Sequence, residues 1–156
     1  MELLKKDVSI IFHVAATTNF SSHLRQAVSI NLQGTKRVIQ LAHEIPKLEV
    51  LLYVSTAYCN AIVRGNITEA IYPSWLDGDS LIEKISTMND EEIEKETKKF
   101  LGGHPNTYSF TKHLAENLLN KERKSIPIAV VRPSVGKFYK IVDFFFWEKE
   151  LMVIIL

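Results

Sequence analysis

Tyr108 and Lys112 lie four residues apart in the stretch Tyr108-Ser109-Phe110-Thr111-Lys112, the spacing that puts two side chains on one face of a helix. A phenol titrates near about 10, too high for easy proton exchange at neutral pH. An ammonium beside it favours the phenolate and pulls that value down. Such a tyrosine can give a proton to a carbonyl oxygen as hydride arrives at the carbon. Thr56, if the fold brings it close, could hydrogen-bond the same oxygen and stabilise its developing charge. Alone the pair is a weak signal. Of five tyrosines only Tyr108 has a lysine four residues on. With lysine at roughly 6% of residues, roughly one chain in three would show such a pair by chance. An ordinary exposed helix pair is the simpler reading of those two residues by themselves.

The elements that must hold these groups follow from the hydrophobic pattern. Residues 8–14 (VSIIFHV) form a continuous β-branched run of the kind buried on both faces of a parallel sheet. The small residues Ala15 and Ala16 end it. Ser22 is a plausible N-cap, and Leu24, Ala27, Val28, Asn31, Thr35, Val38, Ala42 and Ile45 then recur at helical steps before Pro46 stops the helix. A second strand at 50–54 (VLLYV) leads into Ser55 and Thr56. Residues 60–79 read as a long surface excursion, and loops of that length are usually functional. The charged stretch 81–101 predicts one or two exposed helices, broken by Gly102-Gly103-His104-Pro105. A helix over 106–124 carries Tyr108 and Lys112, and a third strand at 128–131 (IAVV) precedes Arg132-Pro133-Ser134. Strand, helix, strand, helix, strand predicts an α/β fold, a partial Rossmann-like parallel sheet with flanking helices. Ligands of such sheets sit outside the carboxyl ends of the strands, where Ala15, Ala16, Ser55 and Thr56 fall.

Nineteen basic against eighteen acidic side chains leave a net charge of +1, which gives no electrostatic footprint for nucleic acid. The single cysteine, Cys59, excludes an internal disulfide framework and fits a reducing, intracellular setting. No signal-peptide pattern opens the chain, so the acceptor-like Asn66-Ile67-Thr68 is read as chance. The greasy tail is too short, and too interrupted by Glu148, Lys149 and Glu150, to span a bilayer. Among the five histidines and Cys59 no metal-ligand spacing occurs, and no metal is expected. His13 reads as a packed or hydrogen-bonded strand residue. Ser109 and Thr111 are expected to be solvated or one layer behind the site.

Several ordered motifs change the weight of the Tyr108–Lys112 pair. A strand followed by Ser55-Thr56, an interval of about fifty residues, then Tyr108 to Lys112 resembles the extended short-chain dehydrogenase/reductase family. Asn31-Leu32-Gln33-Gly34-Thr35 is similar to that family's Asn-x-x-Gly-Thr segment, and Arg132-Pro133-Ser134 to its Arg-Pro motif. Within the family, residues 12–20 (FHVAATTNF), 54–60 (VSTAYCN) and 104–112 (HPNTYSFTK) resemble the fatty acyl-CoA reductases, and the likeness covers about residues 7–135.

That resemblance implies two-step reduction of a long-chain acyl-CoA to a fatty alcohol with NADPH, the aldehyde staying bound in between. By the same resemblance Tyr108 is the proton donor. Lys112 lowers its pKa and holds the nicotinamide ribose, and Thr56 orients the carbonyl, with Ser55 the weaker candidate. Asn31 belongs to the proton relay, and Ala15, Ala16, Arg132 and Pro133 lie against the cofactor. From the residues alone, Asn31 reads equally well as a satisfied structural asparagine, and Ala15 and Ala16 as sites of close helix packing. The family resemblance also implies peroxisomal or endoplasmic-reticulum membrane association for full-length relatives, and leaves room for a homo-oligomer. Two other readings share these residues: another extended short-chain reductase or epimerase acting on a sugar nucleotide or steroid-like ketone, and a non-catalytic remnant of the family.

The sequence departs from the family at both ends. No strand followed by a Gly-x-x-Gly-x-x-Gly type turn precedes residue 8; the six glycines are spaced wrongly for it, and in the family that turn holds the cofactor pyrophosphate. Residues 1–135 are therefore expected to be an incomplete NAD(P)-binding reductase domain, a fragment in this sense, and residues 136–156 a divergent apolar tail. Exposed apolar sheet edges are expected to follow.

Overall fold

The computed structural model describes residues 2–134 and the pair 154–155. Of the first apolar run, Ile10–His13 form strand β1, preceded by a short helix α1 (Glu2–Asp7) that the sequence pattern does not announce. The helical path after β1 has three parts: α2 (Leu24–Ala27), a π-helical stretch Val28–Gln33, and α3 (Gly34–His43). Strand β2 is Val50–Val54. The charged stretch gives two helices, α4 (Gly78–Thr87) and α5 (Asp90–Leu101), and α6 (Thr107–Glu122) carries Tyr108 and Lys112 before β3 (Ile128–Val131). Ile154–Ile155 add a two-residue strand β4; the rest of the expected divergent tail lies outside the described residues.

The sheet is parallel throughout, in the order β3-β2-β1-β4, with Ile11 opposite Leu51, Leu51 opposite Ile128, and Ile11 opposite Ile154. The three expected strands are thus joined by a fourth on the β1 edge. Pleating divides the strands. Ile11, Leu51 and Tyr53 enter the main core with Leu24, Val28, Leu32, Phe110 and Leu114 of the helices, whereas Phe12 and Leu52 are buried outside that cluster. Each fully buried aliphatic side chain contributes about 1.5–3 kcal/mol by leaving water. His13 is buried beside them and its Nε2 meets the Thr35 hydroxyl at 2.9 Å, as a hydrogen-bonded strand residue should.

Caps fix where the helices start. Asp77 accepts from the Ser80 amide at 3.1 Å, Asn106 from the Ser109 amide at 2.8 Å, and Asn89 with Glu92 forms a reciprocal capping box, each satisfying amides that the first helical turn leaves free. Gly102 closes α5 at φ 55°, a left-handed conformation that glycine adopts without a Cβ penalty. Ser22 does not cap α2. His23 stands at that position without a side-chain cap, while the Ser22 carbonyl accepts from the Thr107 hydroxyl at 3.0 Å and so ties the loop to the start of α6.

Two buried imidazoles sit behind that start. His113 Nδ1 meets Asn60 Oδ1 at 2.9 Å, and the His104 and His113 rings are 5.2 Å apart. Burial, helped by His113, pushes His104 down to about 4 from an ordinary 6.5. The unfolded chain then binds a proton that the folded chain refuses. The stability from keeping His104 neutral is complete above pH 6.5 and is lost as pH falls toward 4. We expect a loss on the order of 1–2 kcal/mol across that window, part of the full effect being screened by solvent. Urea unfolding at a series of pH values checks it, and His104→Phe should flatten the profile.

Candidate active site

The carboxyl ends of β1, β2 and β3 open onto one cavity of about 480 Å³, with Ala16, Thr56, Tyr108, Lys112 and Pro133 in its wall. A larger open groove of about 1140 Å³ runs along β3 and the excursion at Thr68 and Ala70, but is lined by neither Thr56, Tyr108 nor Lys112. The chemistry lies in the smaller one.

Tyr108 enters from the first turn of α6, half-buried, and shares the cavity with the Thr56 hydroxyl, which partly offsets the effect of burial on the phenol. Thr56 is itself buried at the end of β2, where its Oγ1 accepts from the Tyr58 amide at 3.3 Å. The neighbouring Ser55 also lines the cavity, buried on the side of the Glu116 carboxylate, whereas Thr56 is the hydroxyl that acts on the phenol. One turn further along α6, Lys112 is only 2% exposed. Its Nζ donates to the Val54 carbonyl at 2.7 Å and lies 4.4 Å from the centre of the Tyr53 ring. Burial pushes Lys112 down to about 8, against the opposing pull of Glu116 and Cys59.

One expectation is corrected here. The phenol is not lowered by Lys112. Burial holds Tyr108 above the ordinary tyrosine value, with only the Thr56 hydroxyl working the other way. The physical reason is direction: the ammonium points at the Val54 carbonyl and the Tyr53 face. A raised value keeps the phenol protonated at neutral pH, the form that can donate.

Asn31 does not reach the cavity wall. It lies in the π-helical stretch, its Oδ1 accepting from the Thr17 amide at 2.8 Å and its Nδ2 donating to the Thr17 carbonyl at 3.2 Å and to Thr111 Oγ1 at 2.9 Å. Its own carbonyl accepts from the Thr35 hydroxyl at 2.7 Å. Asn31 therefore pins the loop after β1 to α6, and the π turn, a local widening common at functional sites, gives its side chain that reach. Thr111 and Ser109, expected to be solvated or one layer behind the site, are both buried, and Thr111 is Asn31's partner.

Of the residues expected against a cofactor, Ala16 and Pro133 line the cavity, and the Pro133 carbonyl accepts from the Ala57 amide at 3.0 Å. Ala15 is exposed beside it. Arg132 turns away. Its Nε and Nη2 grip Glu116 at 2.9 and 2.6 Å, and Nη2 and Nη1 donate to the carbonyls of Ala70 and Thr68 at 2.8 and 3.4 Å. The sequence reading missed Phe20, whose ring centre lies 5.6 Å from that of Tyr108, and Glu116, though continuing the Tyr108–Lys112 step by four more residues arrives at it.

Lys112, Ala16 and Pro133 suit the nicotinamide end of a dinucleotide: a donor for ribose hydroxyls and small or flat walls for close approach. Among the described residues no glycine-rich turn stands at a strand's carboxyl end, so the pyrophosphate end has no counterpart there. Among the same residues no cluster of His, Cys, Asp and Glu could hold a metal ion, and no helix is long and apolar enough to cross a membrane.

Comparison with known proteins agrees with this geometry. The chain is 41% identical over 136 residues to human (Homo sapiens) fatty acyl-CoA reductase 1, covering 86% of this chain and 26% of that protein. It is 42% identical over 128 residues to Xenopus laevis fatty acyl-CoA reductase 1, covering 82% and 25%. The chain thus spans about a quarter of the length of these relatives. Among solved structures it resembles the UDP-glucuronic acid 4-epimerase of Bacillus cereus in complex with NAD, with a TM-score of 0.57 at 20% identity over 86% of this chain and 34% of that one. A thiolation-reductase di-domain from an archaeal non-ribosomal peptide synthetase is comparable, at 0.52 and 17% over 85% and 31%. These likenesses establish the Rossmann-type fold. Residues 1–136 match the family described as male sterility protein, an NAD-binding family, and with identities near 40% to fatty acyl-CoA reductases the chain belongs to that family.

Proposed function

We propose that this chain carries the proton-donating half of an NADPH-dependent reductase that converts a long-chain acyl-CoA to a fatty alcohol. The observation that supports it most is the Thr56–Tyr108 hydroxyl pair set beside buried Lys112 in one cavity at the strand ends. Bound there, the nicotinamide supplies hydride to the carbonyl carbon. Thr56 and Tyr108 meet the carbonyl oxygen, Thr56 by hydrogen bond and Tyr108 by transfer of its phenolic proton. Lys112 donates to the ribose and so holds the nicotinamide against the carbonyl carbon. The thioester takes the first hydride and loses CoA as the thiol, and the aldehyde, kept in the cavity, would take a second hydride from a second NADPH that replaces the oxidised one. Residues 1–135 form the incomplete reductase domain in this reading and 136–156 a divergent apolar tail. The preference for NADPH, the long acyl chain, membrane association and self-association rest on the family resemblance alone.

The test is a substrate panel for the full-length protein with NADPH, followed by mass spectrometry. Fatty alcohol from a C16 acyl-CoA, without accumulation of free aldehyde, is the expected product. Reduction of a sugar nucleotide or steroid ketone in preference to the acyl-CoA would overturn the assignment, as would no NADPH consumption with any of them.

A further inference from the structure

We propose that Glu116 is a positioning residue of the catalytic helix, a buried carboxylate clamped by Arg132 that acts on the reaction through Lys112. The catalytic meaning rests on the proposed reductase function, but the electrostatic link does not.

Glu116 follows Lys112 by four residues and Tyr108 by eight, so the three share one stripe of α6. Its side chain is 1% exposed. A carboxylate at such depth stays ionised only where donors replace water. Arg132 supplies two at 2.9 and 2.6 Å, and the Cys59 thiol a third at 3.1 Å. These donors outweigh burial, and Glu116 lies below the usual carboxylate range.

Lys112 has the opposite need. It is buried, with the Val54 carbonyl and the Tyr53 ring face as its recorded partners. The titratable groups around it come from every neighbouring element. Tyr53 on β2 is raised well above its ordinary value by burial, Cys59 after β2 is pushed up to about 12, and Tyr108 on α6 is raised as well. All three are neutral at pH 7. Arg132 beyond β3 is positive and faces Glu116. Among the described residues around the lysine, Glu116 is therefore the negative charge that can hold its proton in place. With Lys112 at about 8, the margin is narrow. Without that charge a large share of the lysine would be neutral near pH 7.5, a weaker donor to the ribose.

The experiment is an NMR titration of lysine side chains in the 156-residue chain, wild type and Glu116→Gln, with Lys112 assigned through Lys112→Met. The expected result is a Lys112 midpoint lower by about one pH unit in Glu116→Gln. An unchanged midpoint in a folded Glu116→Gln would overturn the proposal. Should that variant fail to fold, the wild-type carboxyl signal of Glu116 serves instead. It should show an inflection at the Lys112 midpoint that Lys112→Met removes, and a flat signal through that range would also overturn the link. In the full-length enzyme, a folded Glu116→Gln should shift the alkaline limb of the kcat/KM profile for NADPH to lower pH, a shift that a merely structural role would not produce. Neither NMR readout needs catalysis, so a silent enzyme with a shifted lysine would count against the reductase reading alone.

Discussion

Tyr108→Phe is expected to lower the rate of carbonyl reduction by the full-length protein by about 10²–10⁴-fold, the range a positioned general acid supplies. The substitution removes one oxygen and keeps the ring that lies 5.6 Å from Phe20. Folding should change little, by roughly 1 kcal/mol for the lost polar contact with Thr56. Cofactor affinity should hardly move, because the buried ammonium of Lys112 is untouched. The loss should therefore fall on kcat, as expected for an interaction that matters in the transition state. Single-turnover kinetics together with an NADPH titration separate the two quantities. Because the phenol is held above its usual value, the acid form is present throughout the neutral range, and the wild-type rate should show no alkaline fall from Tyr108 below the ordinary tyrosine value of about 10.

Arg132→Met should destabilise the fold by about 3–5 kcal/mol, the cost of leaving a buried carboxylate without its cation. The side chain of Glu116 is 1% exposed and that of Arg132 16%, and methionine keeps much of the arginine's bulk over the carboxylate without supplying a donor. Cys59 is a weak donor and would remain the nearest one. The variant also frees the carbonyls of Thr68 and Ala70, loosening the excursion from the end of β3. Urea unfolding measures the loss. Pairing Arg132→Met with Glu116→Gln should recover the greater part of it, because removing both charges costs far less than stranding one. Had Arg132 served the cofactor, as the Arg-Pro resemblance implied, the single variant would instead weaken NADPH binding and leave stability nearly intact.

That contrast shows where sequence reading carries and where it stops. The runs at 8–14 and 50–54 are apolar without alternation, which only a two-sided parallel sheet explains, and both are strands. The Tyr108–Lys112 step survives because α6 is regular through it. The Arg132–Glu116 pair was not legible because Glu116 lies sixteen residues earlier on another element, and only the fold brings α6 and the end of β3 together. The π turn at Asn31 escaped notice because an inserted residue leaves the apolar stripe on both sides intact. β4 was hidden in a greasy tail whose pattern favours no particular edge, and Ile154 finds one beside Ile11. The direction of the Lys112 ammonium depends on the Val54 carbonyl, a backbone atom that spacing cannot reveal.

A double-mutant cycle of rates with Thr56→Val and Tyr108→Phe tests the central claim most directly, since both hydroxyls are held to act on one oxygen. Thr56→Val alone should slow reduction by about 10²-fold or more. In the Tyr108→Phe background it should cost several-fold at most, because groups that act as a unit are not additive. Full multiplication of the two losses, or a Thr56→Val enzyme as fast as wild type, would show that the hydroxyls do not share a carbonyl.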